Sequence, residues 1–342
     1  MQRIVTRPTL ALPALFLVLG FAYSSSFAQG YQLTKLVSNV KGATHTDTQL
    51  VNGWGIADGP GVAFWVSDAG TGLSTIYDGT GNKQSPIVTI PSATGNGKGS
   101  PTGIVYNAST QFQIDSWTSE FIFATLDGTI SGWSHFSRSA ALLAVNNSGT
   151  HTSYTGLAIS NHPSGNFIFA ADYANNKVDV YDGSFIFVTS FTDKTVPAGF
   201  SVFGIQDIGG QVYVSYVAKN GGAGGYIDIF KENGVFVKRF AQGAPLNQPW
   251  GFAVAPANFG PLSNTLLIAN NTPASTISGF NKTTGKLVGT MKDSTGKTIQ
   301  IDQLWGIEFG GGTSSNGMKN QLFFAAGPRN YAQGLFGVIN FK

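Results

Sequence analysis

The sequence predicts an all-β protein folded as a six-bladed β-propeller with four antiparallel strands per blade. First, a short motif recurs six times around single glycines at Gly55, Gly103, Gly156, Gly204, Gly251 and Gly306. Second, each copy precedes further short segments rich in aromatic and β-branched residues, separated by turns rich in Gly, Asn and Asp. Third, the last copy ends after three strand segments, while one isolated segment precedes the first copy.

The repeats lie near residues 51–91, 100–147, 153–193, 201–242, 248–293 and 303–342. The isolated segment, residues 31–40, would supply the fourth strand that the last repeat lacks. This pairing would close the ring and leave no open end to the array. We therefore expect one propeller domain over residues 29–342.

Residues 1–28 have the pattern of a secretory signal. Arg3 and Arg7 give a positive start, residues 10–21 are apolar, and Ser26-Phe27-Ala28 forms a small-x-small cleavage site. The apolar run is shorter than the ~20 residues that span a bilayer. We expect cleavage near Ala28, a secreted or periplasmic bacterial protein, and no membrane span.

The composition argues against nucleic acid as a partner. Charged residues make up 11% of the chain, the net charge is only +3, and Lys and Arg form no run that could follow a phosphate backbone.

The chain has no cysteine, so its stability depends on the core without disulfides. We expect a monomer.

The glycine motif predicts the innermost strand of each blade, where six backbones converge and only glycine permits close approach. An aromatic residue precedes the glycine in four repeats, at Trp54, Phe203, Trp250 and Trp305. These rings fit two interpretations, packing between blades or an aromatic lining at the mouth of the central channel.

Two positions before that aromatic site, every repeat carries an uncharged polar residue. The six residues are Asn52, Ser100, Ser153, Ser201, Gln248 and Gln303. Each could cap the turn that leads into the strand. Together they could also form a ring at the channel mouth that binds an uncharged polar ligand.

The loops between second and third strands should share the face on which the innermost strands begin. Candidate binding residues on this face are Asp68, Asp172, Asn270 and Arg329. Asp and Asn are also residues that turns require, so a structural role is the alternative.

Two stretches carry a resemblance to a known class. Gly-Ile-Ala at 55–57, Phe-Trp-Val-Ser-Asp at 64–68 and Ser-Thr-Ile-Tyr-Asp at 74–78 resemble the NHL class of six-bladed propellers. Residues 46–57 and 64–75 are similar to a family of exported bacterial propeller proteins with no established activity. The resemblance implies a fold but no reaction, and Gly53 stands where that family usually has proline.

Enzymes within this class imply a second possibility. Lactonases of the senescence-marker type hold a divalent metal on Glu, Asn and Asp, but their usual Glu before the first innermost strand is Asn52 here. The nearest available ligands would be Asn52, Asp68, Asp172, Asn270 and Asp302. Propeller lyases of the amidating type use several histidines on zinc, whereas His45, His135, His151 and His162 are few and scattered. No cofactor or metal ligand is predicted, with calcium or another divalent metal as the alternative.

The sequence favours a binding protein that recognises a carbohydrate, a peptide or another small polar ligand at the loop face and channel mouth. One alternative is a metal-dependent hydrolase or lyase, similar to a lactonase, with its site at the channel mouth. The other is a structural module of the cell surface. A propeller fold alone does not decide between them.

Overall fold

The computed structural model of the protein describes residues 1–4, 29–160 and 166–342. Its strands form six antiparallel sheets. The first strand of each sheet contacts the first strand of the next, and the sixth contacts the first, so the sheets close into a ring. The predicted six-bladed β-propeller is therefore confirmed. The predicted signal segment, apart from its first four residues, lies outside the described residues, and so does His162.

The strands of each blade are numbered here from the channel outward. Blades 1 to 3 contain the strands Gly53–Gly59, Val62–Asp68, Leu73–Tyr77 and Lys83–Thr89; Pro101–Tyr106, Phe121–Thr125, Thr129–Trp133 and Leu142–Asn146; and Tyr154–Ile159, Phe167–Asp172, Lys177–Asp182 and Phe187–Phe191. Blades 4 to 6 contain Phe200–Asp207, Gln211–Ala218, Tyr226–Lys231 and Phe236–Gln242; Pro249–Val254, Thr265–Asn270, Ile277–Asn281 and Leu287–Thr290; and Leu304–Phe309, Leu322–Ala326, Leu335–Phe341 and Tyr31–Ser38.

The N-terminal strand completes the last blade, as the sequence predicts. Tyr31–Ser38 pairs antiparallel with Leu335–Phe341, and the register runs from Tyr31 opposite Phe341 to Ser38 opposite Leu335. A bulge between Lys35 and Val37 shifts the register by one residue. The pairing joins the two ends of the array and removes the edge that an open sheet would expose.

The second strands are buried on both faces because each sheet lies between two neighbouring sheets. All five residues of Phe121–Thr125 are buried, which explains why these segments are continuous apolar runs rather than alternating ones. Between blades 1 and 2, Trp65 stacks on Phe121 with ring centroids 4.2 Å apart. Aromatic side chains thus fill the space between the blades.

Several short elements lie outside the four-strand pattern. Blade 2 carries a hairpin of Gln113–Ile114 and Trp117–Thr118, and His45–Thr46 adds a parallel edge to blade 6. Helical turns of the 3-10 type span His135–Ser137, Ser148–Thr150 and Gly260–Leu262. The described ranges contain no α-helix, and within them no helix is long and apolar enough to cross a membrane.

Candidate functional site

Six glycines set the width of the central channel. A Cβ atom on Gly251 would lie 2.5 Å from the carbonyl oxygen of Trp305, and one on Gly156 would lie 2.9 Å from that of Phe203. In each case the obstructing backbone belongs to the next blade, and the other four glycines face their neighbours in the same way. Side chains at these positions would force the innermost strands apart, which confirms the predicted reason for glycine.

The channel has two mouths, which differ in their side chains. We call the end at which the innermost strands begin the upper mouth, and the end at which they finish the lower mouth. The predicted loop face lies at the upper mouth, because the residues after the second strands bond to the residues that precede the innermost strands. Ala69 N–H, for example, donates to Asn52 O at 3.1 Å, and Tyr173 N–H donates to Ser153 O at 2.9 Å.

Aromatic rings from four blades meet at the upper mouth. Trp54 and Trp305 stack with centroids 3.6 Å apart, and Trp250 approaches Trp305 edge-on at 5.8 Å. Phe203, from blade 4, packs against Trp305 of blade 6 at 5.6 Å. Contact between blades that are not neighbours is possible only across the channel axis, so the rings occupy the channel itself. We call these four residues the aromatic plug.

The plug is held by polar contacts as well as by packing. Trp250 Nε1 donates to Thr155 O of blade 3 at 2.8 Å, and Trp305 Nε1 donates to Asn52 Oδ1 at 3.0 Å. Trp54 is 6% exposed and Trp305 is 2% exposed. These two rings have almost no surface left for a ligand, so their burial favours the packing interpretation. The rings pack across the channel as well as between neighbouring blades.

The six polar positions around the plug serve the backbone in several ways. Asn52, Gln248 and Gln303 have left-handed φ angles of 50°, 53° and 50°. The Ser201 hydroxyl donates to Tyr173 O at 2.5 Å. Asn52, Ser201 and Gln303 are buried, whereas Ser100, Ser153 and Gln248 are half-buried. Ligand binding by this ring stays a prediction, and it would depend on the half-buried members and on Trp250.

Three of the four loop-face candidates are buried at the ends of second strands. Asp172 accepts hydrogen bonds from Asn175 Nδ2 at 2.7 Å and from Ser153 N–H at 3.2 Å. Asn270 donates to Pro245 O at 2.9 Å. Asp68 is wholly buried, and burial raises the pKa of its carboxyl well above the usual range. The contacts of Asp172 and Asn270 fit a role in turns, whereas neither side-chain oxygen of Asp68 receives a hydrogen bond from the described residues.

Arg329, the fourth loop-face candidate, is exposed, and its backbone N–H donates to Asp302 Oδ2 at 2.9 Å. The five proposed metal ligands are spread over four blades, with Asn52 and Asp68 both in blade 1, and Asp172 and Asn270 are each held by their own surroundings. Among the described residues, no group of three or more His, Asp and Glu side chains could together hold a metal ion.

The lower mouth opens into a cavity of about 340 Å³, which we call the lower cavity. Its lining includes the apolar side chains of Ile104, Ile159 and Phe252, but most of the surface that faces the cavity is polar. Its polar lining includes Asp58 and Glu308, which are the next-to-last residues of the innermost strands of blades 1 and 6, and Gln206 from blade 4. Convergent polar groups beside apolar side chains are features of small-molecule sites.

Asp58 and Glu308 lie within hydrogen-bonding reach of each other. Burial raises the pKa of both carboxyl groups. The negative charge of Asp58 raises the pKa of Glu308 further, whereas the hydrogen bond from Glu308 opposes the rise for Asp58. The pair therefore holds one proton preferentially on Glu308, because two adjacent carboxylates cannot both ionise cheaply in a poorly solvated place.

The pair is positioned from one side and open on the other. Asn316, which is wholly buried, donates from Nδ2 to Asp58 Oδ2 at 2.5 Å and to Gly59 O at 3.1 Å. Thr313 holds the Asn316 amide by donating from its backbone N–H to Oδ1 at 3.1 Å. Within the described residues, the buried Glu308 Oε2 receives no hydrogen bond from an amide or hydroxyl group. Glu308 lines the cavity, and its Oε2 is a buried acceptor without a donor among the residues that the structure describes.

The sequence reasoning missed this site because it looked at the starts of the innermost strands. Asp58 and Glu308 follow their motif glycines by three and two residues, so their spacing from the motif differs. A signal was nevertheless present. Both acids are next to last in strands whose earlier positions are small or apolar, in a chain with only 17 acidic residues.

The strands and the lower cavity together define this protein as a six-bladed β-propeller with a cavity at one mouth of its central channel. No family model matches the chain. The chain is 30% identical over 332 residues to the uncharacterized protein R648 of Acanthamoeba polyphaga mimivirus, a match that covers 90% of this chain and 80% of that protein. It therefore belongs to the same family as that protein. The uncharacterized protein L690 of the same virus is 29% identical over 287 residues, covering 78% of this chain and 75% of its own.

Solved structures with the same fold include two bacterial enzymes. A gluconolactonase from Xanthomonas campestris superposes with a TM-score of 0.57 at 13% identity, over 86% of this chain and 87% of its own. Virginiamycin B lyase from Staphylococcus aureus superposes with a TM-score of 0.52 at 14% identity, over 91% of this chain and 99% of its own. At this level of identity the likeness shows the propeller fold alone.

Proposed function

We propose that the protein binds a small polyhydroxylated molecule, such as a monosaccharide or a sugar lactone, in the lower cavity. The observation that carries this proposal is the Asp58–Glu308 pair facing a cavity of about 340 Å³. A carboxylate beside a carboxylic acid accepts and donates hydrogen bonds, which matches neighbouring hydroxyl groups. The apolar wall formed by Ile104, Ile159 and Phe252 suits the C–H face of a sugar ring.

The lower mouth suits this role better than the upper mouth. Two of the plug residues, Trp54 and Trp305, are buried against each other, whereas the lower cavity is open and its Glu308 carboxyl lacks an amide or hydroxyl donor. A ligand hydroxyl would supply the missing hydrogen bond. This gain would offset part of the cost of keeping the polar group away from water.

A calorimetric screen tests the binding proposal with neutral monosaccharides, aldonolactones and amino sugars as probes. We expect at least one probe to bind, and Asp58→Asn and Glu308→Gln each to weaken binding by about tenfold or more, because the first removes the charged acceptor and the second removes the O–H donor of the pair. Asp115→Asn is the matched control, since Asp115 is exposed and lies outside the cavity. Equal weakening by the control, or no binding by any probe, would overturn the proposal.

Acid–base hydrolysis of a lactone is the second candidate function. It is favoured by the shared proton, which places an ionised carboxylate beside a protonated carboxyl at one cavity. Asp58 would activate water, and Glu308 would protonate the departing oxygen. Acid release from glucono-lactone in a pH-stat distinguishes the two functions. A rate above the spontaneous one that falls in both variants supports catalysis, whereas a rate equal to the spontaneous one excludes catalysis on this lactone.

A further inference from the structure

Two large aromatic side chains stand exposed together on the outside of blade 2. Trp117 is 47% exposed and Phe136 is 51% exposed, and their rings stack with centroids 3.7 Å apart and an interplanar angle of 23°. Single exposed hydrophobic residues are common on protein surfaces, but here two rings stack face to face and leave the outer face of Trp117 as an apolar platform, supported by Phe136 from below. Ligands with an apolar face use such platforms.

The two rings are fixed by separate elements. Trp117 lies in the short hairpin whose turn residues, Asp115 and Ser116, have φ angles of 50° and 71°. Positive φ at both central residues is the geometry of a tight two-residue turn. Phe136 lies in the 3-10 turn His135–Ser137, and the His135 ring packs on the face of Phe136 with centroids 3.8 Å apart. The platform is thus held before any ligand arrives.

A carboxylate connects the platform to a neighbouring groove. Glu120 Oε1 accepts a hydrogen bond from His135 N–H at 3.2 Å and also contacts His135 Nδ1. Glu120 lines a groove of about 520 Å³ between blades 1 and 2. We call this groove, together with Trp117 and Phe136, the outer groove.

The outer groove lies over packed aromatic side chains and has a polar rim. The rings of Trp65, Phe121 and Trp133 shape its floor and pack together with Trp65 4.6 Å from Trp133, but they are almost wholly buried, so the exposed Trp117 offers the ring face. Its rim carries carboxylate, amide and hydroxyl groups, from Asp78, Gln84, Ser85, Glu120, Ser314 and Ser315. No Lys or Arg is among the described residues that line it, so the rim favours a neutral ligand over an anion.

We propose that the outer groove is a binding site for a neutral oligosaccharide. Sugar rings present an apolar C–H face and a rim of hydroxyl groups, and these match the aromatic platform and the carboxylate and amide rim, respectively. The groove and the platform are two adjoining surfaces linked through Glu120 and His135, and contact with both favours a chain over a monosaccharide. The outer groove and the lower cavity have no lining residue in common, so this site is separate from the proposed channel function.

Affinity electrophoresis of the full chain tests the proposal. The gels contain hydroxyethyl cellulose, xyloglucan, galactomannan or amylose as neutral probes and alginate as an anionic one. We expect at least one neutral glycan to retard the protein, and the Trp117→Ala/Phe136→Ala double variant to raise the apparent Kd by about tenfold or more. Glu120→Gln, which keeps the side-chain shape, should weaken binding while leaving the rings in place.

Phe187→Ala is the matched control, since Phe187 is 53% exposed on blade 3, away from the groove. This variant and Asp58→Asn should bind the glycan as the unmodified protein does. The proposal is overturned if no neutral glycan retards the protein, if alginate alone does, or if Phe187→Ala weakens binding as much as the double variant. It is likewise overturned if the double variant and Glu120→Gln both bind the glycan as tightly as the unmodified protein.

Discussion

At the scale of single residues, Asp58 and Glu308 are two acids whose chemistry the fold alters. In an unfolded chain each would be a solvated carboxyl group with an ordinary pKa. In the folded ring they lie together at the lower mouth, where burial raises the pKa of Asp58 to about 6 and that of Glu308 well above its usual range. The folded protein therefore binds protons more tightly at this pair than the unfolded chain does.

This difference makes the stability contribution of Asp58 depend on pH. Between its unfolded pKa of 3.8 and about 6, the folded state holds more protons, so stability falls as pH rises. Asp58→Asn removes the effect. Urea unfolding at pH 4, 5, 6 and 7 measures the effect. From pH 4 to pH 7 the free energy of unfolding of the unmodified protein should fall, relative to that of the variant, by on the order of 1–3 kcal/mol.

Asp78→Asn provides a control of opposite sign. Slight burial of Asp78 would raise its pKa, but hydrogen bonds from Thr80 and Asn82 outweigh it, and the pKa of Asp78 is lowered. Stability from Asp78 is present above the unfolded pKa and is lost as pH falls through the folded pKa. The same pH trend in both variants would contradict the assignment of a raised pKa to Asp58.

At the scale of strands, the innermost strand of each blade must lie close to the next one. Gly204→Ala would place a methyl group on the carbonyl oxygen of Trp250, and the strand would have to move. We expect a loss of about 1–3 kcal/mol in the free energy of unfolding, as in other overpacked sites. Chemical denaturation measures the change.

Gly149→Ala is the matched control for this substitution. Gly149 lies in the 3-10 turn Ser148–Thr150, and a Cβ there would meet no atom within 4 Å. The control should change stability by less than about 0.5 kcal/mol. If Gly204→Ala were equally mild, the innermost strands would have room for a side chain, and the explanation of the glycine motif would be wrong.

The strand pattern could be predicted from sequence because it is local. Gly55 and its five counterparts mark the innermost strands, and apolar runs such as Phe121–Thr125 mark the second ones. The sequence could not predict in the same way that one channel mouth is filled by aromatic rings and that the other opens into a cavity. It depends on side chains that meet across the axis from distant parts of the chain, such as Trp305 and Asn52, or Asp58 and Glu308.

At the scale of the whole molecule, Tyr31 ties the closing strand to two blades. The strand itself completes blade 6, while the Tyr31 hydroxyl donates to Phe259 O at 2.7 Å and accepts from Leu262 N–H at 2.9 Å, both in blade 5. Tyr31→Phe leaves these two groups without their partner. We expect the free energy of unfolding to fall by about 1–3 kcal/mol in urea denaturation.

Tyr213→Phe separates this effect from the general cost of removing a tyrosine hydroxyl. Tyr213 is also buried, but burial alone raises the pKa of its hydroxyl, and no hydrogen bond from the described part of the chain contributes. Its removal should change stability by less than about 0.5 kcal/mol. An equal loss in both variants would show that the link to blade 5 contributes nothing of its own.

The closing strand also brings the first and last described residues of the ring together. Gly30 N–H donates to Lys342 O at 2.9 Å, and Lys342 N–H donates to Gly30 O at 3.0 Å. A short peptide linker could therefore join these two positions, and a turn elsewhere, such as residues 283–285, could provide the new termini. Such a circular permutant would keep every pair of neighbouring strands in the native ring. The six-bladed architecture therefore does not depend on where the chain begins and ends.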